Sequence, residues 1–166
     1  MRRHQSLSFI AAAFLAVSGL ALAAEHATHF TASGDISVTV DDATATMIRI
    51  RNKIPALNII TSPASNKELG GSYSVNLFFS NKFKPKPGIF PVEFSYRSKP
   101  DTLGGSFLAP GVMFSHDTKG TAEFLEFSDQ VRVRFEFQVF DKSEGSEGRK
   151  AVTIKGEASC EMADIF

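Results

Sequence analysis

Between Val131 and Val139 apolar side chains occupy every second position (Val131, Val133, Phe135, Phe137, Val139), with Arg132, Arg134, Glu136 and Gln138 between them. A helix would scatter these residues around its circumference, whereas a strand puts the apolar set on one face and the polar set on the other. The segment Thr121 to Phe127 reads as an antiparallel partner, joined through Ser128-Asp129-Gln130. A three-residue connection sets Phe127 opposite Val131, Leu125 opposite Val133, and Glu126 opposite Arg132 as a cross-strand charge pair. The same register leaves Glu123 on the apolar face against Phe135 and Phe124 on the polar face against Arg134. A bulge near Glu123 would correct both.

The alternation recurs along the chain. Ile36, Val38 and Val40 form a stripe from Asp35, with a turn expected at Asp41-Asp42. Ala43 to Arg51 follows as a strand, with Thr46, Ile48 and Ile50 on one face and Met47, Arg49 and Arg51 on the other, and Leu57 to Thr61 is a shorter run. Tyr73, Val75, Leu77 and Phe79 mark another strand, as do Phe90, Val92, Phe94 and Tyr96. Pro91 cannot donate to a ladder, so that strand belongs at an edge or pairs only beyond the proline. Phe107 to Phe114 is broken at Pro110-Gly111, and Ala151 to Gly156 is the last clear strand. Ser62 to Gly71 and Ser98 to Gly105 read as polar surface loops. No stretch after residue 23 carries apolar residues at helical spacing over a helix's length. About eight to ten short strands imply an all-β domain, a single antiparallel β-sandwich or flattened barrel.

The first residues follow a different logic. Arg2 and Arg3 give a basic start, Leu7 to Leu20 an apolar stretch, and Ala21-Leu22-Ala23 the small residues of a cleavage site. In that order they specify a signal peptide over 1–23, and hence a periplasmic or secreted chain of a single β domain over 24–166, with 24–29 loose. The whole chain has 18 Lys and Arg against 18 Asp and Glu. Loss of Arg2 and Arg3 leaves a slight acidic excess, too weak a field to gather nucleic acid, and no transmembrane segment follows the cleavage site. Cys160 is the only cysteine, so no internal disulfide is available. It shares parity with Val152, Ile154, Gly156, Ala158 and Met162, which places it inward as a buried free thiol.

No catalytic signature is present: Gly70-Gly71-Ser72 lacks the remainder of a nucleophile elbow, no phosphate-cradling loop occurs, and no cofactor is implied. His26 and His29, with His116, are the candidate metal ligands, although their spacing matches no established site. Asp141, Ser143, Glu144 and Glu147 offer oxygens in a loop that departs from a calcium-binding pattern and reads better as a flexible connection. Lys82, Lys84 and Lys86 form the tightest basic run, a candidate contact for anionic envelope polymers, lipid headgroups or a partner protein. The chain has 16 Phe, two Tyr and no Trp. Phenylalanine lacks the polar handle that suits sugar faces, which disfavours a carbohydrate ligand. Phe78, Phe124 and Phe140 lie off the main apolar stripes of their strands, so either the second face is partly covered or these rings line an apolar groove; core or interface packing is the expectation.

The segments Pro87-Gly88-Ile89-Phe90-Pro91-Val92, Gly120 to Phe127, Val131 to Asp141 and Ala151 to Ala158 together resemble a pattern in small exported bacterial β-proteins, many of them lipoproteins. The resemblance spans about Ser72 to Ala158. It departs at Val133, where glycine is common, at Ala158, where an aromatic is common, and in lacking a lipid-modified cysteine. It implies a β-fold in the envelope and no catalytic residue. The expectation is therefore a non-enzymatic exported β-domain with a binding or structural role in the bacterial envelope. Its alternatives are a small apolar-ligand or lipid carrier with a phenylalanine-lined interior, and a hydrolase whose site is assembled from distant residues.

Overall fold

The computed structural model describes residues 27–50, 53–141 and 149–165. The strands among them are β1 (Thr28–Gly34), β2 (Val38–Ile50), β3 (Ala56–Thr61), β4 (Ser74–Phe79), β5 (Gly88–Glu93), β6 (Leu103–Ala109), β7 (Val112–Phe127), β8 (Gln130–Asp141) and β9 (Ala151–Ile165). They hydrogen bond in the order β1-β2-β3-β4-β6-β5-β7-β8-β9, and β9 pairs back onto β1, closing a barrel. The all-β class is as the alternation predicts. The ladder is not wholly antiparallel, however: β5 meets β6 in parallel at Val92 and Leu103, and β2 meets β9 in parallel over Met47–Ile50 and Met162–Ile165.

In the β7–β8 hairpin, Phe127 pairs with Val131 and Glu126 with Arg132, as the three-residue connection requires. The irregularity falls at Leu125 rather than Glu123: the register shifts between Phe124 and Glu126, so Phe124 faces Val133 and Glu123 faces Arg134. One extra residue inverts the phase of the strand behind it. Phe124 thereby turns inward, buried beside Phe127 with ring centroids 4.7 Å apart. The Glu126–Arg132 charge pair does not form, because Arg132 Nε donates to Glu157 on β9 at 2.7 Å.

Asp41-Asp42 also makes a bulge instead of a turn. It lies inside β2, where Val40 pairs with Phe30 and Ala43 with Thr28. Two acidic residues interrupt the stripe but, placed as an extra step, let it resume on the other parity: Ile36, Val38 and Val40 give way to Ala43, Ala45 and Met47 against the core. The loop expected at Ser62 to Gly71 contains helix α1 (Pro63–Leu69). The Ser62 hydroxyl accepts from the Ser65 amide, Pro63 opens the helix, and Gly70 closes it at φ 71°. The supposed loose start is firmer than expected, because Thr28 and His29 belong to β1 and Thr28 Oγ1 exchanges hydrogen bonds with the backbone of Ser159. Leu103, placed in a loop from sequence, begins β6. Pro91 does sit where its missing donor is tolerated, since β5 pairs fully with β7 and touches β6 only at Val92.

The interior is filled by side chains from every strand. Phe30, Phe107, Phe114, Phe124 and Phe137 are fully buried, with Met47, Leu57, Ile59, Leu77, Leu103 and Ile154 among them. At one end Phe79, Phe83, Phe90, Phe124 and Phe127 pack ring against ring, with Phe83 supplied by the β4–β5 loop. Large rings fit because small residues face them, as small barrels require. A Cβ on Gly105 would stand 2.8 Å from the Phe137 ring, and one on Gly156 would stand 2.8 Å from that of Phe135.

Candidate functional site

Strand β5 stops at Glu93 although the apolar alternation continues through Phe94 and Tyr96. Local hydrogen bonds compete with the ladder here. The Glu93 carboxylate accepts from Ser95 Oγ and Lys99 Nζ, and the amides of Ser98 and Lys99 close a 3-10 turn over Tyr96–Ser98. Those contacts from Lys99 and Ser95 also hold the Glu93 carboxyl below the usual range, the Lys99 hydrogen bond foremost. The turn lays Tyr96 back across the outer wall. Its ring occupies the place of a side chain on Gly104, where a Cβ would lie 2.5 Å from the ring, and it stacks on Phe78 with centroids 6.1 Å apart.

A second aromatic pair stands nearby. Strand β7 shifts register between Phe114 and His116 and again between His116 and Lys119, and Asp117 within that stretch has φ 44°. A left-handed non-glycine residue is strained, and such residues and bulges concentrate at binding sites. The irregular stretch brings the His116 ring onto Phe94, with centroids 5.3 Å apart. Phe94 remains 54% exposed, unusual for so large an apolar side chain.

Together these residues enclose a cleft of about 500 Å³ on the barrel wall, lined by Phe78, Phe94, Tyr96, Arg97, Gly104 and Thr118 with neighbouring backbone. The size suits a small organic ligand, for which pockets of about 300–1,000 Å³ are usual. Gly104 and Gly105 line it beside the stacked Phe78–Tyr96 pair, and Phe94 lines it as well. No Asp, Glu or Cys side chain lines it; beside the aromatic rings stand the hydroxyls of Ser95, Ser98, Ser115 and Thr118.

A second depression, of about 490 Å³, lies on the outer faces of β1, β9, β8 and β7 and includes His29, Glu123, Arg134, Lys155 and Glu157. Most of its charges are spent on one another: Glu157 holds Arg132 and Arg134, and Lys155 lies 3.4 Å from Glu136. Partial burial pushes the Glu157 carboxyl up, but the hydrogen bonds from the two guanidinium groups outweigh it and leave it lowered. A carboxyl lowered by folding stabilises the fold above the ordinary carboxylate range and loses that contribution as the pH falls through its folded value. Wild-type protein should therefore lose stability more steeply than Glu157→Gln as the pH drops from neutral through about 4. Denaturant midpoints across that range measure the difference, and parallel curves would exclude it.

Of the residues singled out from sequence, Phe78 lines the cleft and His116 stacks on Phe94 beside it, while the others lie elsewhere. Lys82, Lys84 and Lys86 are exposed on the β4–β5 loop, with Lys86 3.6 Å from Asp101, and none lines the aromatic cleft. His29 is exposed on β1 while His116 stacks on Phe94, and among the described residues no three His, Cys, Asp or Glu side chains group as metal ligands. His26, Ser143, Glu144 and Glu147 lie outside the described residues. Cys160 packs against the core on β9 but is only partly buried, in the stretch where β9 runs on beyond its pairing with the start of β1. Burial still pushes its thiol up, against a weaker opposing contact from the Met47 backbone.

The alternation placed Phe94 and Tyr96 on the same strand as Phe90 and Val92, which hid the turn that brings Tyr96 onto Phe78. The usable signal was Gly104-Gly105, adjacent glycines in an apolar run, which mark a close approach by another group. No family model, curated protein or solved structure matches this chain, so the cleft's geometry alone carries the functional reading.

Proposed function

We propose that this chain is an exported, non-enzymatic binding module of the bacterial envelope that holds a flat apolar group in the aromatic cleft on its outer wall. The observation that carries the reading is a glycine-floored space of about 500 Å³ lined by the stacked Phe78–Tyr96 pair and by the exposed Phe94, on which His116 stacks. Export rests on the order of basic, apolar and small residues over 1–23. The exposed Lys82, Lys84 and Lys86, on a loop anchored through Phe83, offer a separate contact for anionic envelope material.

The alternatives have less support. An enclosed apolar ligand would need interior space, and the interior here is occupied by closely packed phenylalanine, leucine, isoleucine and valine side chains. A hydrolase acid would call for a carboxyl raised in a cleft, whereas Glu93 and Glu157 shift downward as salt-bridged anions.

The test is titration of residues 24–166 with N-phenyl-1-naphthylamine, a neutral fluorescent aromatic probe. Saturable binding by wild type is expected, with Phe94→Ala and Tyr96→Ala each weakening it about five- to tenfold, since each ring supplies a large stacking area. Ile60→Ala, an exposed apolar position on β3 that does not line the cleft, should leave it unchanged. Equal binding by wild type and the Phe94/Tyr96 double variant would overturn the proposal.

A further inference from the structure

Resting on that reading of the cleft, the geometry points to its ligand class: we infer that it takes a flat aromatic molecule bearing a carboxylate, with Arg97 receiving the anionic end. Arg97 lines the cleft, and its guanidinium is held at the rim. Nε donates to Tyr96 Oη at 3.2 Å, and the guanidinium carbon stands 5.8 Å from the Tyr96 ring centroid. One donor is thereby used for positioning, and the terminal NH2 groups are left for a ligand. A guanidinium presents them as a planar fork that matches a carboxylate in two parallel hydrogen bonds.

The surroundings leave this cation without competition. Both nearby carboxylates already have basic partners, Glu93 with Lys99 and Asp117 with Arg149. Among the described residues Arg97 has no acidic partner. The hydroxyls around the cleft are also engaged. Ser95 Oγ donates to Glu93, Ser98 Oγ to the Ser95 carbonyl and Thr118 Oγ1 to the Gly105 carbonyl, while Ser115 Oγ contacts His116 Nδ1. A neutral polar ligand would find these donors already committed. A cationic one would meet Arg97. The Tyr96 phenol, which accepts from Arg97, keeps its own proton to donate, so an anionic head on an aromatic body meets that donor and the free guanidinium NH2 groups while its rings stack.

Volume sets the scale of the body. A space of about 500 Å³ exceeds what a single ring fills and admits a fused pair. The probes are accordingly naphthoate, naphthalenemethanol and naphthalenemethylammonium, which share one ring system and differ in charge. Calorimetric titration of residues 24–166 at low salt should give naphthoate about a tenfold tighter constant than the alcohol, with the ammonium weakest. Added salt should narrow the preference while leaving the alcohol unchanged. Arg97→Gln should erase the preference and retain alcohol binding. Arg97→Lys, which keeps the charge but not the fork, should restore only part of it. Phe94→Ala should weaken all three probes alike.

Equal binding of alcohol and naphthoate by wild type would overturn the carboxylate inference and leave the aromatic cleft standing. A preference for naphthoate that survives Arg97→Gln would overturn the role of Arg97. Failure of all three probes to bind wild type would remove the cleft reading as well.

Discussion

Gly120→Ala is expected to destabilise the fold by about 3 kcal/mol or more, at the upper end of overpacking costs, and to lower the melting temperature by about 10 °C. Gly120 lies on β7 opposite Phe137 of β8, and a methyl group there would stand 2.2 Å from the Glu136 carbonyl oxygen and 2.4 Å from Phe137 Cα. Both atoms belong to backbone in the most regular ladder of the barrel, where β8 pairs residue for residue with β9 from Gln130 to Phe140. Neither can yield without shifting that ladder. Gly111→Ala supplies the contrast. Gly111 has φ 78° and nothing near its missing Cβ, so that variant should carry only left-handed strain, about 1 kcal/mol. Paired thermal and urea melts decide the matter, and a Gly120→Ala protein as stable as Gly111→Ala would refute the account of the close approach.

The second large effect belongs to Phe137. Its ring is fully buried and fills the space that Gly105 leaves open. Truncation to alanine should cost about 3–5 kcal/mol, since the rigid strands around it cannot collapse into the void. Against a typical total of about 5–15 kcal/mol, that leaves the variant marginal. A milder pair isolates the contact. Gly105→Ala would press a methyl against the Phe137 ring edge at 2.8 Å, and Phe137→Leu withdraws that edge. The double variant should then be more stable than the two single effects predict, by about 1 kcal/mol. Strict additivity would show that Gly105 is not small on account of Phe137.

The hairpin was legible because period-2 alternation is a local property of one strand, and Val131 to Val139 shows it without interruption. Bulges were less legible. A single extra residue at Leu125 or at Asp41-Asp42 breaks the alternation in the same way a turn does, and only the partner strand distinguishes the two. Helix α1 carried its own signals in Ser62, Pro63 and Gly70, but its short run shows no apolar periodicity and buries no side chain. The cleft was hidden for a different reason. Phe78, Tyr96, Gly104 and His116 come from four separate stretches, and what joins them is the crossing of β5 between β6 and β7, a long-range arrangement that no local pattern encodes. The basic run at Lys82, Lys84 and Lys86 was, by contrast, conspicuous in sequence and stands on a loop away from the cleft.

The closure of the barrel bears on the order in which the chain can assemble. Strand β9, the last of the described strands in chain order, hydrogen bonds to β8 beside it and to both β1 and β2, far earlier in the sequence. Until it emerges, those three strands each present an unpaired edge, and such edges invite pairing between molecules. Closing so long a loop also delays the reward for every earlier contact, which slows folding in sheets of this kind. In a nascent chain β1 therefore waits with its outer edge open for a partner more than a hundred residues downstream, and barrel closure is a late step.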